Sequence, residues 1–408
     1  MTLQESADVT KVKCCIVGGG PAGMMAGALL ARAGVGVLVL EKHGDFLRDF
    51  RGDTVHPSTM DVLAELGWLE DFLQKPHQEL RRIRAHIEGT EITLADFSRV
   101  PTRRKFVAFM PQWDFLNLIA EKARAFPGFE LRMNAEATAL VEDGGRIIGV
   151  RGEREGKPFT VEADLVLITD GRHSALREQA DLHARRIAAP IDVLWFRVSR
   201  RPDDPPQSLG WLAHHRFLVL LDRGDYWQIA SVIPKGAFGK TRQEGLPAFR
   251  EKVAATAPFL GDRVGEISSF DDVKLLSVEV DRLDRWWRPG LLCIGDAAHA
   301  MSPIGGVGIN LAVQDAVAAA NLLAKPLLAG IPTRTDLARV QARREFPTRA
   351  TQAVQVAVQE RVIRRVIEGK RPVRVSPILR VIDRIPFLQR LPARLVGVGV
   401  RPEHVATG

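Results

Sequence analysis

The feature that most constrains the fold of this chain is the segment KVKCCIVGGGPAGMMAGALLARAGVGVLVLEK at residues 11–42. A short apolar run is followed by a glycine-rich loop, a helical stretch rich in alanine, leucine and methionine, and a second apolar run. Continuous apolar runs of this length are typical of parallel strands that are buried on both faces. The segment therefore predicts a strand–helix–strand unit, the beginning of an α/β fold.

The loop of this unit has the spacing Gly18-x-Gly20-x-x-Gly23. We expect Gly18 to permit a tight turn, Gly20 to let the backbone approach a pyrophosphate, and Gly23 to let helix and strand pack closely. The helix that follows, beginning at Pro21 and Ala22, offers free N–H groups and a partial positive charge to phosphates. The loop therefore predicts a dinucleotide site.

An acid stands at the end of the second apolar run, where Glu41 precedes Lys42. A carboxylate at this distance from the last glycine can accept hydrogen bonds from a ribose. Two later segments also end strands with an acid, namely VEADLVLITDG at 161–171 and LLCIGDAAHAMSPIGGVGIN at 291–310. Taken alone, the Asp-Gly pair of the first of these is more often a plain turn than a site.

The three signatures in this order resemble those of the class A flavoprotein monooxygenases, the p-hydroxybenzoate hydroxylase-like family. The resemblance implies an α/β fold with a Rossmann-type FAD-binding domain, an inserted and mostly antiparallel β-sheet substrate domain, and C-terminal helices. We assign residues 1–80, 100–185 and 281–335 to the FAD-binding domain, 81–99 and 186–280 to the substrate domain, and 336–408 to the helical region.

The resemblance also implies site residues. Asp296 is expected to bind the ribityl chain of FAD, since a carboxylate is an acceptor for its hydroxyls. The glycines between Pro303 and Asn310 are expected to leave room for the flat flavin ring, and the helix that starts near Ile309 directs its N-terminus at that ring. The predicted cofactor-binding residues are Gly18, Gly20, Pro21, Ala22, Gly23, Glu41, Lys42, Arg51, Gln112, Asp170, Gly295, Asp296, Pro303, Gly305, Gly306, Gly308, Ile309 and Asn310.

The substrate side is less defined by the sequence. His214, His215, Tyr226 and Pro303 are candidate pocket residues. Tyr226 is the single tyrosine of the chain, so the two-tyrosine proton path of the best-known phenol hydroxylases cannot exist here. We expect His299 to be structural, and we assign no catalytic residue.

In the family, NADH or NADPH reduces FAD, and O2 then forms a flavin C4a-hydroperoxide that hydroxylates an aromatic or related electron-rich molecule. The chain has no second glycine fingerprint for the nicotinamide, as expected for a cosubstrate that visits transiently. Two alternatives stay open on the same fold. One is a flavin-dependent reductase of the geranylgeranyl type, and the other is a membrane-associated quinone-pathway hydroxylase.

Composition and charge limit the partners. The net charge is +8, yet no zinc-finger or RNA-binding pattern accompanies it, so we predict a small-molecule substrate, no nucleic acid and no metal site. Three cysteines in apolar runs and no disulfide framework favour the cytoplasm. The chain also has no uninterrupted apolar stretch of about 20 residues. We expect a monomer or homodimer without stable membrane insertion, although the basic, apolar segment after 376 leaves peripheral contact open.

Overall fold

The computed structural model of the protein describes residues 8–47, 53–187, 189–205, 210–369 and 374–407. The strands are β1 (Asp8–Val17), β2 (Val37–Leu40), β3 (Thr54–Val55), β4 (Gln78–Leu80), β5 (Arg82–Ile87), β6 (Thr90–Asp96), β7 (Val107–Phe109), β8 (Phe129–Arg132), β9 (Ala135–Asp143), β10 (Arg146–Arg154), β11 (Lys157–Ile168), β12 (Ala184–Ile187), β13 (Ile191–Ser199), β14 (Gly210–Ala213), β15 (Arg216–Asp222), β16 (Tyr226–Pro234), β17 (Lys274–Leu276), β18 (Val280–Leu283), β19 (Trp287–Arg288) and β20 (Leu291–Cys293). The helices are α1 (Pro21–Arg32), α2 (Pro57–Glu65), α3 (Leu69–Leu73), α4 (Gln112–Ala123), α5 (Ala175–Gln179), α6 (Phe238–Glu244), α7 (Leu246–Thr256), α8 (Gly308–Ala329), α9 (Arg334–Val358), α10 (Arg364–Glu368), α11 (Pro377–Arg384) and α12 (Pro386–Gly397).

The first large sheet contains the predicted strand–helix–strand unit. Six of its eight strands run in the order β19–β20–β11–β1–β2–β8, and the five from β20 to β8 are parallel. The other two strands extend from β11, where β10 pairs antiparallel with β11 and with β9. The apolar run of β1 is fully buried at Cys14, Cys15 and Ile16, because helices α1 and α8 and the rest of the sheet enclose it. Parallel strands need such cover on both faces.

The second large sheet is mostly antiparallel, in the order β17–β13–β16–β15–β14–β5–β6, with β14 parallel to β5. All seven strands fall within residues 81–99 and 186–280, and the division of the chain into three parts stays a prediction. The sequence predicts a β-rich domain between residues 190 and 280, with no particular helix assigned within it. The structure places α6 and α7 there, and α7 packs on one face of the sheet through Phe249 and Val253.

Apolar residues at helical spacing over residues 61–75 predict helical structure, and the structure has two helices there, α2 and α3. Helix α2 begins earlier, with Pro57 in its first turn, a position that suits proline because its missing N–H is not needed there. The helix ends before Gly67, whose φ of 76° is left-handed. Glycine in that conformation terminates helices.

Helix α8 is the longest apolar helix of the described residues. By length and composition the stretch Ile304–Ala329 could cross a membrane, but 83% of its most apolar window is buried inside the protein. It packs against α1 and α9. These contacts are those of a core helix. They fix the position of the first turn of α8, which directly follows the glycine-rich stretch.

Candidate cofactor-binding site

The glycines of the first loop have different surroundings. Gly18 has a φ of 105°, and a Cβ atom there would lie 2.6 Å from the carbonyl oxygen of Thr169. A Cβ on Gly23 would lie 2.0 Å from the carbonyl oxygen of Gly18, whereas one on Gly20 would meet no atom within 4 Å. Gly18 and Gly23 are therefore required by packing inside the protein, and Gly20 leaves the start of α1 open to a ligand.

Thr169 ties this loop to the end of β11. Its Oγ1 donates to the carbonyl oxygens of Val17 and Gly18 at 2.8 Å each. The next residue along the chain is Asp170, so the second predicted motif lies beside the first. The sequence analysis did not single out Thr169, because its two partners are more than 150 residues away.

Glu41 lies at the carboxyl end of β2 and is buried. Its carboxylate accepts hydrogen bonds from the backbone N–H of Gly19 at 2.8 Å and of His43 at 3.1 Å. The acid thus faces the glycine loop, as a ribose-binding carboxylate must. Lys42, next to it, is exposed.

The Asp-Gly segment and the later Gly-Asp turn meet. Arg172 Nη2 lies 3.5 Å from Asp296 Oδ2, and Arg177 Nη1 donates to the carbonyl oxygen of Ala297 at 3.2 Å. Gly295 has a φ of 61°, and a Cβ atom on it would lie 3.0 Å from that of Ala22. Three predicted segments therefore converge at the start of α1.

Asp170 has a perturbed acidity. Its side chain is accessible to solvent, but the surrounding protein removes much of its hydration and raises its pKa to about 6, against the opposing effects of a hydrogen bond from Ser174 and the charges of Arg177 and Lys42. Partial loss of hydration disfavours the charged carboxylate. Below about pH 6 this carboxyl group is mostly protonated and can donate as well as accept a hydrogen bond.

The stretch after Pro303 is held from the first half of the chain. The carbonyl oxygen of Gly306 accepts from Thr54 Oγ1 at 2.7 Å and faces His56 Nε2 at 2.9 Å. Burial lowers the pKa of His56 to about 4, so the ring is neutral at pH 7 and Nε2 carries the hydrogen. Gly305 and Gly306 have φ values of 78° and 62°, which favour glycine regardless of any ligand.

Gly306 carries a further constraint. A Cβ atom on it would lie 2.5 Å from Thr54 Oγ1, whereas one on Gly308 would meet nothing within 4 Å. The contact with Thr54 therefore explains the glycine at 306 without any flat ring. Gly308, by contrast, faces open space. The first turn of α8 has no acidic residue and no side-chain cap, so its N-terminal dipole can act on a ligand.

Asn310 joins α8 to the start of α2. Its Oδ1 accepts from Ser58 Oγ at 2.7 Å and from Thr59 Oγ1 at 2.8 Å. The neighbouring Ile309 is buried. The side-chain carbonyl of Asn310 is therefore engaged within the protein, and its role toward a cofactor would be to fix the first turn of the helix.

A buried ionic network lies behind the turn at Gly295. Asp315 of α8 accepts from the backbone N–H of Gly295 at 3.1 Å, from His299 Nε2 at 2.6 Å and from Arg344 Nε at 2.8 Å. Burial raises the pKa of Asp315, but His299 and Arg344 outweigh burial and keep it below its ordinary value. His299 thus has a structural contact, in line with its expected role.

One face of the second sheet meets this region. Ile304 packs in the apolar cluster of that face, which also includes Trp195, Val219 and Ala230. Side chains alternate along a strand, so Tyr226 points to the same face as Ala230. The structure thus brings Tyr226 and the stretch after Pro303 to the same side of the sheet.

The two other predicted pocket residues lie elsewhere on this sheet. His214 and His215 form the turn between β14 and β15, with φ values of 50° and 60°. The backbone N–H of His214 donates to Glu88 Oε1 at 3.1 Å, and His215 Nδ1 lies 3.3 Å from the carbonyl oxygen of Val366. Neither contact joins them to the 303–310 stretch.

Gln112 begins α4, and its backbone N–H donates to the carboxylate of Asp53. Asp53 also pairs with Arg223, in the turn between β15 and β16, so it connects the start of α4 to the second large sheet. Burial raises the pKa of Asp53, and Arg223 opposes that effect. Arg51, also predicted to reach the cofactor, lies outside the described residues.

Sequence reasoning missed the residues of DTVHPST that hold the later glycine stretch, namely Thr54, His56, Ser58 and Thr59. The signal available was Pro57, which marks a helix start. Hydroxyl groups beside a helix start often bind backbone or side-chain partners. Within the described ranges, no group of three or more His, Cys, Asp or Glu side chains is placed to hold a metal ion.

The sequence of this chain is similar to those of known proteins. The sequence model described as FAD binding domain matches residues 11–355. The 6-methylpretetramide 4-monooxygenase of Streptomyces rimosus is 33% identical over 352 residues, covering 86% of this chain and 84% of the relative. The digeranylgeranylglycerophospholipid reductase of Methanocella arvoryzae is 26% identical over 337 residues, covering 80% and 81%.

Solved structures show the same fold. The crystal structure of P. aeruginosa PqsL in complex with 2-aminobenzoylacetate superposes with a TM-score of 0.75 at 22% identity, covering 88% of this chain and 99% of PqsL. The predicted fold class, an α/β FAD-binding fold with a second sheet and C-terminal helices, is confirmed.

Proposed function

The chain belongs to the FAD binding domain family of class A flavoprotein monooxygenases, and on that premise we propose that it hydroxylates an aromatic, polyketide-like small molecule. It is an FAD-dependent oxidoreductase, a monooxygenase that uses NAD(P)H and O2. The reaction class follows from the relatives, and the substrate class is our proposal.

The described residues fit FAD. Gly20, whose absent side chain would face open space, precedes a helix with no acid in its first turn and no side-chain cap. Such a helix start suits a pyrophosphate. We propose that Glu41 binds the adenosine ribose, that Asp296 binds the ribityl chain, and that the start of α8 at Gly308 faces the flavin ring. The predicted cofactor contacts of Lys42, Arg51, Gln112 and Asp170 stay part of this proposal.

The protein would supply position and electrostatics, and FAD, when bound, would supply the redox chemistry between NAD(P)H, O2 and the substrate. Thr54 and His56 fix the carbonyl oxygen of Gly306, so the stretch beside the ring is held in one conformation. The N-terminal dipole of α8 would stabilise negative charge on a ligand bound at Gly308 by about 0.3–2 kcal/mol.

The substrate class rests on the face that Ile304 contacts. Trp195, Val219 and Ala230 contribute apolar and aromatic side chains to the cluster that Ile304 joins, and such side chains suit flat aromatic rings. The observation that carries the proposal is this apolar face opposite the glycine stretch. The S. rimosus relative is named for an aromatic polyketide substrate, which supports the same class.

The test is hydroxylation in the presence of ¹⁸O2. The FAD-loaded enzyme, NADH or NADPH and a panel of aromatic polyketide intermediates should give a product that contains one ¹⁸O atom. A reductase, the alternative that the M. arvoryzae relative represents, would instead oxidise NAD(P)H without O2 and add hydrogen to its substrate. Oxidation of NAD(P)H without O2, or incorporation of ¹⁸O into simple phenols alone, would contradict the proposed substrate class.

We also propose that the enzyme works in the cytoplasm as a monomer or homodimer. The three cysteines are free and buried, a state that a reducing compartment maintains. Sedimentation velocity of the FAD-loaded protein would measure the oligomeric state, and cell fractionation would measure the compartment.

A further inference from the structure

The C-terminal helices leave an apolar surface uncovered. We define the C-terminal amphipathic surface as the side chains of Ile378, Val381, Ile385, Phe387 and Leu391, whose exposed fractions are 73%, 47%, 45%, 60% and 62%. Ile378 and Val381 are i, i+3 in helix α11, Phe387 and Leu391 are i, i+4 in helix α12, and Ile385 lies at the extended junction between the two helices. Residues at these spacings share one helix face, so each helix exposes an apolar pair with Ile385 between the pairs, and we call the five side chains the stripe.

The opposite side of α11 is already packed. Leu379 contacts the apolar cluster of β5 and β6, and the backbone N–H of Thr93 in β6 donates to Asp383 Oδ1 at 2.8 Å. Helix α11 therefore covers β6, the edge strand of the second sheet. Such cover keeps an edge strand from pairing with another chain. Because this inward face is taken, the stripe faces outward by construction.

Charge around the stripe selects its partner. The sequence 374–394 contains five arginines and a single acid, Asp383, and the carboxylate of Asp383 is engaged by Thr93. Arg374, Arg380 and Arg384 are exposed beside the stripe. A second copy of this chain, docked face to face, would bring these cations together. An anionic lipid surface matches both the apolar stripe and the cations.

We propose that the C-terminal amphipathic surface binds the enzyme peripherally to membranes that contain anionic phospholipids. The apolar side chains enter the boundary between headgroups and acyl chains, and the arginines contact the phosphates. The surface connects to the proposed active site through α12, since Val396 near its end packs beside Gly305. Membrane binding thus places the site close to apolar molecules dissolved in lipid.

The experiment is vesicle co-sedimentation with the full-length, FAD-loaded protein. Vesicles of phosphatidylcholine alone are compared with vesicles that also contain phosphatidylglycerol, at low and at high salt. The protein should sediment with the anionic vesicles and not with the neutral ones, and high salt should weaken binding because it screens the arginines.

Two matched double variants distinguish vesicle binding through the C-terminal amphipathic surface from nonspecific binding through other exposed apolar side chains. The change Phe387→Ser with Leu391→Ser should reduce the partition coefficient about tenfold or more. The control change Leu328→Ser with Ile331→Ser removes side chains of similar exposure, 54% and 55%, at the far end of α8, and should leave it unaltered. FAD absorbance and the thermal midpoint of each variant show that the fold is kept.

Three results would overturn the proposal. The native protein could fail to bind anionic vesicles, the two double variants could lose binding equally, or sedimentation velocity could show a dimer that the Phe387 and Leu391 changes dissociate. The last result would assign the surface to a second copy. None of these results bears on oxygen incorporation, so the proposed reaction is tested separately.

Discussion

At the scale of single residues, the glycines of the site divide by what a side chain would meet. Gly18, Gly23 and Gly306 are held by neighbouring protein atoms, whereas Gly20 and Gly308 face open space. Substitution of the first group perturbs the fold whether or not a cofactor binds. Substitution of the second group therefore reports on the ligand alone.

We predict that Gly20→Ala folds normally but binds FAD about tenfold more weakly. The backbone of Gly20, at φ −73° and ψ −177°, is open to alanine, and only a ligand that approaches the backbone would be displaced. Fluorescence titration of the apoprotein with FAD measures the dissociation constant. Gly239→Ala, at another glycine with open surroundings, is the control, and equal affinities of the two variants would contradict this placement of the pyrophosphate.

His56 gives a prediction for pH. Burial lowers its pKa from 6.5 to about 4, so between these values the unfolded chain binds a proton that the folded protein does not. The contribution of His56 to the free energy of unfolding, about 3 kcal/mol, is therefore fully present above pH 6.5 and is lost as pH falls toward 4. In His56→Gln the amide can still donate to Gly306 but does not titrate.

The measurement is urea unfolding of both proteins across this pH range. The stability of the native protein should fall more steeply with acid than that of His56→Gln. The raised pKa of Asp170 acts in the opposite direction, and it cancels in the difference between the two proteins. Parallel pH profiles would show that His56 is not buried and neutral.

At the scale of elements, α8 is held in position by charge. Asp315 receives three hydrogen bonds from Gly295, His299 and Arg344. Arg344 in turn contacts Glu403 Oε1 at 3.3 Å, so the last described segment is attached to the same network. Displacement of Asp315 would release the turn at Gly295 as well as the helix.

We predict that Asp315→Asn lowers the free energy of unfolding by about 3–5 kcal/mol, because it removes the buried carboxylate that pairs with Arg344 and accepts hydrogen bonds from Gly295 and His299. Purified protein should also contain less FAD, since the turn that carries Asp296 loses an anchor. The control is Asp336→Asn, at the third helical position of α9, where Asp336 completes the exposed capping box of Thr333, and this change should cost about 1 kcal/mol. Equal losses from the two changes, measured by urea unfolding, would be inconsistent with a buried ionic network.

The same scale explains what the sequence could predict. The unit β1–α1–β2 carries all its signals within 32 residues, so its existence and its glycine spacing were predictable. Helices α6 and α7 were missed because they lie inside a strand-rich stretch and have weak apolar periodicity. The contact of Thr54 with Gly306 spans 252 residues, and no local pattern encodes such a pairing.

At the scale of the whole molecule, the proposed cofactor site draws on segments near residues 20, 41, 170, 296 and 308. A ligand that bridges them stabilises the folded state in proportion to its occupancy. We predict that the thermal midpoint of the apoprotein rises with FAD concentration, by the equivalent of about 2.7 kcal/mol at a hundredfold excess over the dissociation constant. Differential scanning fluorimetry measures this shift, adenosine monophosphate is the partial-ligand control, and a midpoint independent of FAD would contradict the bridged site.

The pairing of β1 with β11 sets the order of events during synthesis. Thr169 holds the glycine loop across 151 residues, and the turn at Gly295 emerges from the ribosome later still. The ribosome therefore synthesises β1 and α1 well before the segments that complete the proposed nucleotide site. Distant pairings of this kind slow folding, so we expect FAD to bind only after most of the chain has folded.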